Sequence, residues 1–432
     1  MTDTRQSRYG RAESSMSCSL VRDWPNVPID RGEGCRVFGP NGERYLDFCA
    51  GMAALPLGHC HPRVVSAIEA QARKLLHGPM GVLLYEPIVH LAERLGEVTP
   101  KDLDFFFFGN SGSEAVEGAL KLAKYVTKRP VIVSFVGAFH GRTLGALSIT
   151  TSKAKYRRGY EPFPGGTHQI PYPYCLRCPC GLKPDNCNLK CFDFVQNLFD
   201  YRVDPGQVAA FIMEPILGEG GYVPAPVEYV HRLREVCDRH GILLIFDEIQ
   251  SGFGRTGSMF ASTHYGVTPD IMAIAKGIAS GLPLGATVAS KELMSKWPAE
   301  AHSTTFGGNP VACAASLALL DVLEEQHVLD NVNRQGERAM KALSEMKAEY
   351  PVIGDVRGLG LMIGIEFVDP NDGMKPNGKA VKHVLQECLR HGLILYHAGI
   401  EGQVIRFIPP LIVTDSELDE GLRIFREAVA SI

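Results

Sequence analysis

Short apolar runs recur through the middle of the chain, each followed by small or polar residues and then by helical text. Leu103–Phe108 (LDFFFF) passes through Gly109-Asn110-Ser111-Gly112-Ser113-Glu114 into a helix that continues to Val126. Val131–Phe135, Ala209–Glu214, Ile242–Phe246 and Ile271–Ala275 repeat the rhythm, with helical spacing over Val227–His240. Runs of this kind have no polar face to offer water. They are accommodated by a mostly parallel sheet with helices on both sides, which predicts an α/β chain. In such sheets ligands bind beyond the carboxyl ends of the strands, so the polar residues after each run are where chemistry is expected.

The flanks read differently. Arg36–Phe48 alternates around Pro40-Asn41-Gly42, a hairpin signature, and 62–76 and 86–97 carry helical periodicity. After Pro310 come helices at 310–325 and 330–349 and a strand pair around Asp355–Phe367. A helix near 377–391 follows, then strands at Leu393–Tyr396 and Val404–Ile408. The expected organisation has three parts. Residues 1–58 form an N-terminal arm and part of a smaller domain, 59–320 a large ligand-binding domain, and 321–432 the C-terminal, α+β remainder of the smaller one. Residues 1–30 are polar and aperiodic, the text of an arm that docks elsewhere. The formal net charge of −4 is spread along 432 residues without a basic block, which argues against nucleic-acid or membrane-surface binding. With no apolar run of about 18 residues and no signal-peptide core, a cytoplasmic protein is expected.

Nucleotide motifs are missing. There is no G-x-x-x-x-G-K-[ST], and Gly358-Leu359-Gly360-Leu361 neither continues as a dinucleotide fingerprint nor opens a helix. No H-E-x-x-H or G-x-S-x-G occurs. Four strand ends carry the positive signal. Lys276 is the one charge between Ile271 and Ser290, and a desolvated lysine has a lowered pKa and can form a Schiff base. Asp247 ends ILLIFDE, where it can cap a helix, bind Mg²⁺ or hold a protonated ring nitrogen. The Gly109–Ser113 loop opens a helix and suits a phosphate. Phe139-His140-Gly141-Arg142-Thr143 offers an aromatic ring for stacking, beside a histidine whose plainer role is structural. Together they describe a site for a flat, phosphorylated, Schiff-base-forming cofactor, and pyridoxal 5'-phosphate (PLP) matches.

At this point the chain resembles the class III, or ω-amino acid, aminotransferases of PLP fold type I. The resemblance runs from about Asn41 to the C-terminus. It is carried by GERYLD (Gly42–Asp47), GHCHP (Gly58–Pro62), NSGSEAVE (Asn110–Glu117), FHGRT (Phe139–Thr143) and EPILGEGG (Glu214–Gly221). DEIQSGFGRTG (Asp247–Gly257), PDIMAIAK (Pro269–Lys276), TTFGGNP (Thr304–Pro310) and DVRGLG (Asp355–Gly360) extend it. The resemblance implies a large domain with a mostly parallel sheet plus a smaller α+β domain. It implies that Lys276 forms the Schiff base and shuttles a proton, and that Asp247 pairs with the pyridinium nitrogen. Gln250 would meet the ring's phenolic oxygen, Phe139 would stack, Gly112 and Ser113 would bind the phosphate, and His140 would be among the cofactor-binding residues. Thr305 would reach the phosphate of the neighbouring subunit, making a homodimer, or a pair of dimers, with shared sites.

For the substrate, the resemblance implies that Arg406 binds an α-carboxylate and that Glu219 pairs with it when none is present. Arg142 would hold a distal carboxylate, and Met52 would be a pocket wall. The reaction implied is transfer of an amino group from an ω-amino acid such as 4-aminobutyrate or β-alanine to a 2-oxo acid. A racemase, epimerase or aminomutase on the same fold is the alternative.

Twelve cysteines in a chain of this class read as thiols rather than a disulfide framework. Five of them, Cys175, Cys178, Cys180, Cys187 and Cys191, crowd into one insert with C-x₂-C and C-x₃-C spacing. A structural Zn²⁺ or iron–sulfur cluster, labile disulfides and reduced thiols are all compatible with that spacing, and the site assignment includes no metal.

Overall fold

The computed structural model describes residues 27–432, together with Ser17 and Ser19. Most of the expected N-terminal arm, residues 1–30, lies outside them.

The apolar runs form one seven-stranded sheet. Its order is Phe105–Gly109, Gly285–Ala289, Ile271–Ile274, Leu243–Asp247, Val208–Met213, Val131–Val136, Thr167–Pro171. Neighbouring strands from Ile271–Ile274 to Thr167–Pro171 are parallel. Gly285–Ala289 runs against both of its neighbours, so it alone is reversed. The strand follows the GLPLG turn within the charge-free stretch around Lys276, where the periodicity reading did not separate it.

The two faces of this sheet are packed differently. On one, the helix Gly112–Thr127 lays Ala115, Ala119, Leu122 and Ala123 over Ile132, Ala210, Ile212, Ile245 and Ala273. Small residues let it sit close: a Cβ on Gly118 would stand 2.2 Å from Thr287 Oγ1, which donates to the Ala115 carbonyl at 2.8 Å. On the other face, Phe135, Phe211 and Phe246 pack with Tyr229 and Leu233 of the helix Val227–His240. Each of these fully buried aromatics contributes roughly 2–3 kcal/mol of apolar burial.

A second, antiparallel sheet holds Ile353–Leu359, Met362–Asp369, Val404–Phe407 and Tyr396–Ala398. A third joins Arg31–Glu33, Arg36–Phe38 and Arg44–Asp47 to Leu393–Ile394. The expected single strand Leu393–Tyr396 is therefore shared between two sheets, broken at the buried Leu395. Its first part pairs with Arg44–Asp47 and its second with Val404–Phe407, so the N-terminal hairpin rests on the C-terminal part of the chain. The hairpin and most helices fall where periodicity places them, including Pro310–Glu325, Val328–Glu349 and Gly378–Arg390. The last helix, Asp415–Ala430, was not separated by periodicity. Its start is fixed by a capping box between Thr414 and Glu417. The architecture is α/β, as expected. No helix among the described residues is long and apolar enough to cross a membrane.

Candidate active site

The carboxyl ends of four parallel strands and of Phe105–Gly109 open on one cavity of about 380 Å³. Lys276, Asp247, Gln250, Glu214, Phe139, His140, Gly112, Ser113, Arg142, Glu219, Arg406 and Met52 all line it. These include every residue expected at the site except Thr305. Thr305 is exposed, on the turn before the helix Pro310–Glu325.

Lys276 follows the buried strand Ile271–Ile274 and opens a short 3₁₀ turn. Its φ of +48° is left-handed, a conformation a side-chain-bearing residue holds only when its surroundings impose it. Burial lowers the pKa of its amine, while the charges of Asp247 and Glu214 oppose that shift. Asp247 is 4% exposed. One carboxylate oxygen accepts from His140 Nδ1 at 2.7 Å and the other from the Ile249 amide at 3.1 Å. His140 thus contacts Asp247 and also lines the cavity. Glu214 is buried, with its carboxylate accepting from the Phe139 and Gly218 amides, both at 2.9 Å. Burial lifts its carboxyl to about 7, with His140 pulling down and Asp247 pushing up.

The phosphate-suited loop is a helix N-terminus. Ser111 caps Gly112–Thr127 by accepting from the Glu114 amide at 3.2 Å. That leaves the first-turn amides of Gly112 and Ser113 beside the cavity. Two crowded glycines shape the approach. A Cβ on Gly112 would stand 2.9 Å from Ile249 Cδ1, and one on Gly285 would stand 2.6 Å from the Ser111 carbonyl oxygen.

Met52 reaches the cavity from an unusual turn. Ala50, Gly51, Met52 and Ala53 have φ values of 44°, 59°, 62° and 66°, a left-handed turn that costs its non-glycine members about 1 kcal/mol or more each. Hydrogen bonds from Ala53 N to Cys49 O and from Leu55 N to Ala50 O close it.

Arg406 is 3% exposed, on the strand Val404–Phe407. Its Nη2 pairs with Glu219 Oε2. Burial lowers its guanidinium to about 10. Glu219 Oε1 also accepts from Lys153 Nζ at 3.0 Å and Tyr156 Oη at 2.9 Å. Neither Lys153 nor Tyr156 was expected, because no local pattern distinguishes them within TTSKAKYRRGY. The Arg142 guanidinium stacks 3.6 Å over the Tyr156 ring.

The cysteine insert lies outside the cavity. Cys175, Cys178, Cys187 and Cys191 line a separate void of about 20 Å³, without Cys180. Burial, then its neighbouring thiols, lifts Cys191 to about 11. Among the described residues no group of three or more His, Cys, Asp or Glu stands in metal-holding geometry. The described cysteines are all free.

The residues present fit PLP. Gln250 Oε1 is buried with no protein partner, the Gly112 and Ser113 amides stand at a helix start, and an amine faces a buried acid. Fold and site together define a PLP-dependent enzyme of the aminotransferase kind. The chain belongs to the class-III aminotransferases, whose family profile matches residues 20–429.

It is 40% identical over 433 residues to the 5-aminovalerate aminotransferase DavT of Pseudomonas putida, with all of both chains covered. It is 39% identical to the 4-aminobutyrate aminotransferase GabT of Escherichia coli, over 92% of each chain. A leucine/methionine racemase of Thermococcus litoralis is also 39% identical, over 96% of this chain and 93% of the racemase. Among solved structures, a Bacillus anthracis aminotransferase superposes with a TM-score of 0.93 at 32% identity, over all of both chains. The ornithine aminotransferase of Toxoplasma gondii, described with PLP at partial occupancy in its active site, gives 0.86 at 28%, over 100% of this chain and 96% of that one.

Proposed function

We propose that this protein moves the amino group of an ω-amino acid, of the 4-aminobutyrate or 5-aminovalerate kind, to a 2-oxo acid. The observation that carries this reading is the Arg406–Glu219 pair facing Lys276 across one cavity. A buried guanidinium whose charge is matched by a movable carboxylate accepts two kinds of substrate. With Glu219 in place, the pocket suits an amine-bearing carbon that carries no carboxylate. With Glu219 displaced, Arg406 binds an α-carboxylate bidentately.

Bound here, PLP supplies an electron sink that makes a C–H bond beside nitrogen acidic near neutral pH. The chain's residues do the rest. Asp247, oriented by His140 and the Ile249 amide, holds the ring-nitrogen proton. Gln250 would donate an amide N–H to the phenolic oxygen, Phe139 would cover the ring face, and the Gly112 and Ser113 amides would take the phosphate. Lys276 Nζ, with its lowered pKa, would take a proton from the substrate carbon and return it on the far side of the substrate nitrogen. Arg142 and Met52 border the distal end of the substrate.

Thr305 serves the phosphate of a second copy. The next residue, Phe306, is 61% exposed, and Leu76 (66%), Val82 (82%) and Leu84 (81%) are further exposed apolar residues. The ring of Phe306 lies 5.0 Å from that of His77. Covering such exposed apolar side chains is what a homodimer would do. The free thiols suit the reducing cytoplasm.

The test is a donor-by-acceptor grid with the cofactor spectrum followed throughout. An ω-amino donor alone should convert the aldehyde form to the amine form, and a 2-oxo acid should convert it back. Loss of optical purity in an L-amino acid with no oxo acid required would replace this reading with the racemase one.

A further inference from the structure

The Glu219 carboxylate is held at both ends. Arg406 takes Oε2, while Lys153 Nζ and Tyr156 Oη converge on Oε1 at 3.0 and 2.9 Å. The lysine is no surface residue, since its side chain is 7% exposed. Its segment is pinned: the Thr151 and Ser152 amides both donate to the Ala138 carbonyl, at 2.8 and 3.0 Å, next to Phe139. Tyr156 is fixed by the Arg142 guanidinium on its face and by the edge of Phe139, whose ring centroid is 6.0 Å away.

This arrangement matters when Arg406 is needed elsewhere. A buried carboxylate that loses its only cationic partner is strongly destabilised. Glu219 has a second cation and a hydroxyl on the oxygen that does not face Arg406. It can give up Arg406 and remain paired. Charge counting agrees. Arg406, Lys153 and Glu219 sum to one positive charge, so an arriving α-carboxylate brings the group to neutrality. Without Lys153 the same arrival would leave one negative charge buried.

We infer that Lys153, assisted by Tyr156, is the pivot of the Glu219 gate: a positioning residue that selects for α-carboxylate substrates without touching them. This rests on the proposed roles of Arg406 and Glu219.

The test separates the two half-reactions. Lys153→Met keeps the stem and removes the charge. In the amine form, kcat/KM for 2-oxoglutarate should fall about 10- to 100-fold, as expected for losing a charged hydrogen bond. In the aldehyde form, kcat/KM for 4-aminobutyrate should stay within about threefold. Lys153→Arg should recover much of the loss, and Tyr156→Phe should show the same asymmetry at roughly three- to tenfold. Glutarate, a dicarboxylate with no carbonyl, supplies a readout besides turnover: its calorimetric Kd should weaken in Lys153→Met in step with the oxo acid.

Equal losses in both half-reactions would mean that Lys153 is merely structural and would overturn the inference, as would an unchanged oxo-acid step. Should Lys153→Met not fold, the Tyr156→Phe asymmetry and Lys153→Arg decide in the same way. Arg406→Met is the control on the underlying reading. If it leaves 2-oxoglutarate use unchanged, the gate itself is wrong and the inference falls with it. If Arg406→Met is crippled while Lys153→Met is not, only the pivot is wrong.

Discussion

Glu366→Ala should destabilise the fold and loosen the cysteine insert together, because one carboxylate joins them. Glu366 lies on the strand Met362–Asp369 with its side chain fully buried. Its Oε1 accepts from Arg177 Nε at 2.6 Å, and Arg177 sits between Cys175 and Cys178. Its Oε2 pairs with Arg357 Nη1 at 2.8 Å and accepts from Tyr174 Oη. Arg357 also donates to the carbonyls of Gly221 and Tyr222, the loop that carries Glu219. Removing one partner of a buried ion pair costs about 3–5 kcal/mol. Here part is recovered. Arg177 is 29% exposed and can turn to water, and Arg357 keeps Asp355 at 3.1 Å. The expected loss is therefore about 2–4 kcal/mol, read as a lowered urea midpoint of the apoenzyme. The insert should respond separately. With Arg177 and Tyr174 released, Cys175, Cys178 and Cys187 should react faster with a thiol reagent under native conditions. Glu366→Gln, which keeps the shape and one acceptor oxygen, should lie between. A loss below about 1 kcal/mol with unchanged thiol rates would refute the claim that this carboxylate docks the insert.

Three further outcomes are expected. Lys276→Ala should bind PLP without a borohydride-reducible adduct, and reduction that labels another lysine in the wild type would remove Lys276 from its role. Gly285→Ala should push the phosphate loop, since its Cβ would meet the Ser111 carbonyl at 2.6 Å and backbone yields poorly. Overpacking of about 1–3 kcal/mol corresponds to a roughly 10- to 100-fold weaker PLP Kd, and an unchanged spectral titration would contradict it. Glu214 should titrate near pH 7 in the apoenzyme, visible by infrared as a buried carboxyl that Glu214→Ala removes. Its folded pKa is raised above the unfolded value of 4.5, so its contribution to stability is complete below about pH 4.5 and is lost as pH rises through about 7. A midpoint at or below pH 5 would refute the burial argument.

The parts legible in the sequence share a physical property: each is specified by neighbours along the chain. A parallel strand buried on both faces must be apolar throughout, and it must stop where it meets solvent or ligand. Lys276, Asp247, Phe139 and the Gly109–Ser113 loop all stand at such stops, so these segments converge on one cavity. What escaped is specified across distance. Lys153 and Tyr156 meet Glu219 from 66 and 63 residues away, and Arg177 meets Glu366 from 189. Gly285–Ala289 is small-residued because the helix Gly112–Thr127 lies hard against it at Gly118, and no local pattern states that requirement. Leu393–Tyr396 reads as one strand, since its alternation cannot reveal that two sheets divide it.

The same division separates cofactor from substrate recognition. The residues proposed to hold the cofactor stand at strand ends of a single sheet, each placed by its own segment. On the substrate side of the cavity, Arg406 comes from another sheet and Glu219 from a loop, and Lys153 and Tyr156, which hold Glu219, come from a turn after the Phe139 segment. A small shift of the Val404–Phe407 sheet against the large sheet would alter the Arg406–Glu219 contact while leaving Lys276 and Asp247 in register with each other. Substrate choice can therefore diverge within this family while the chemistry is retained. Substitutions that redirect its specificity are accordingly expected among Lys153, Tyr156, Glu219 and their supports, not among the residues around PLP.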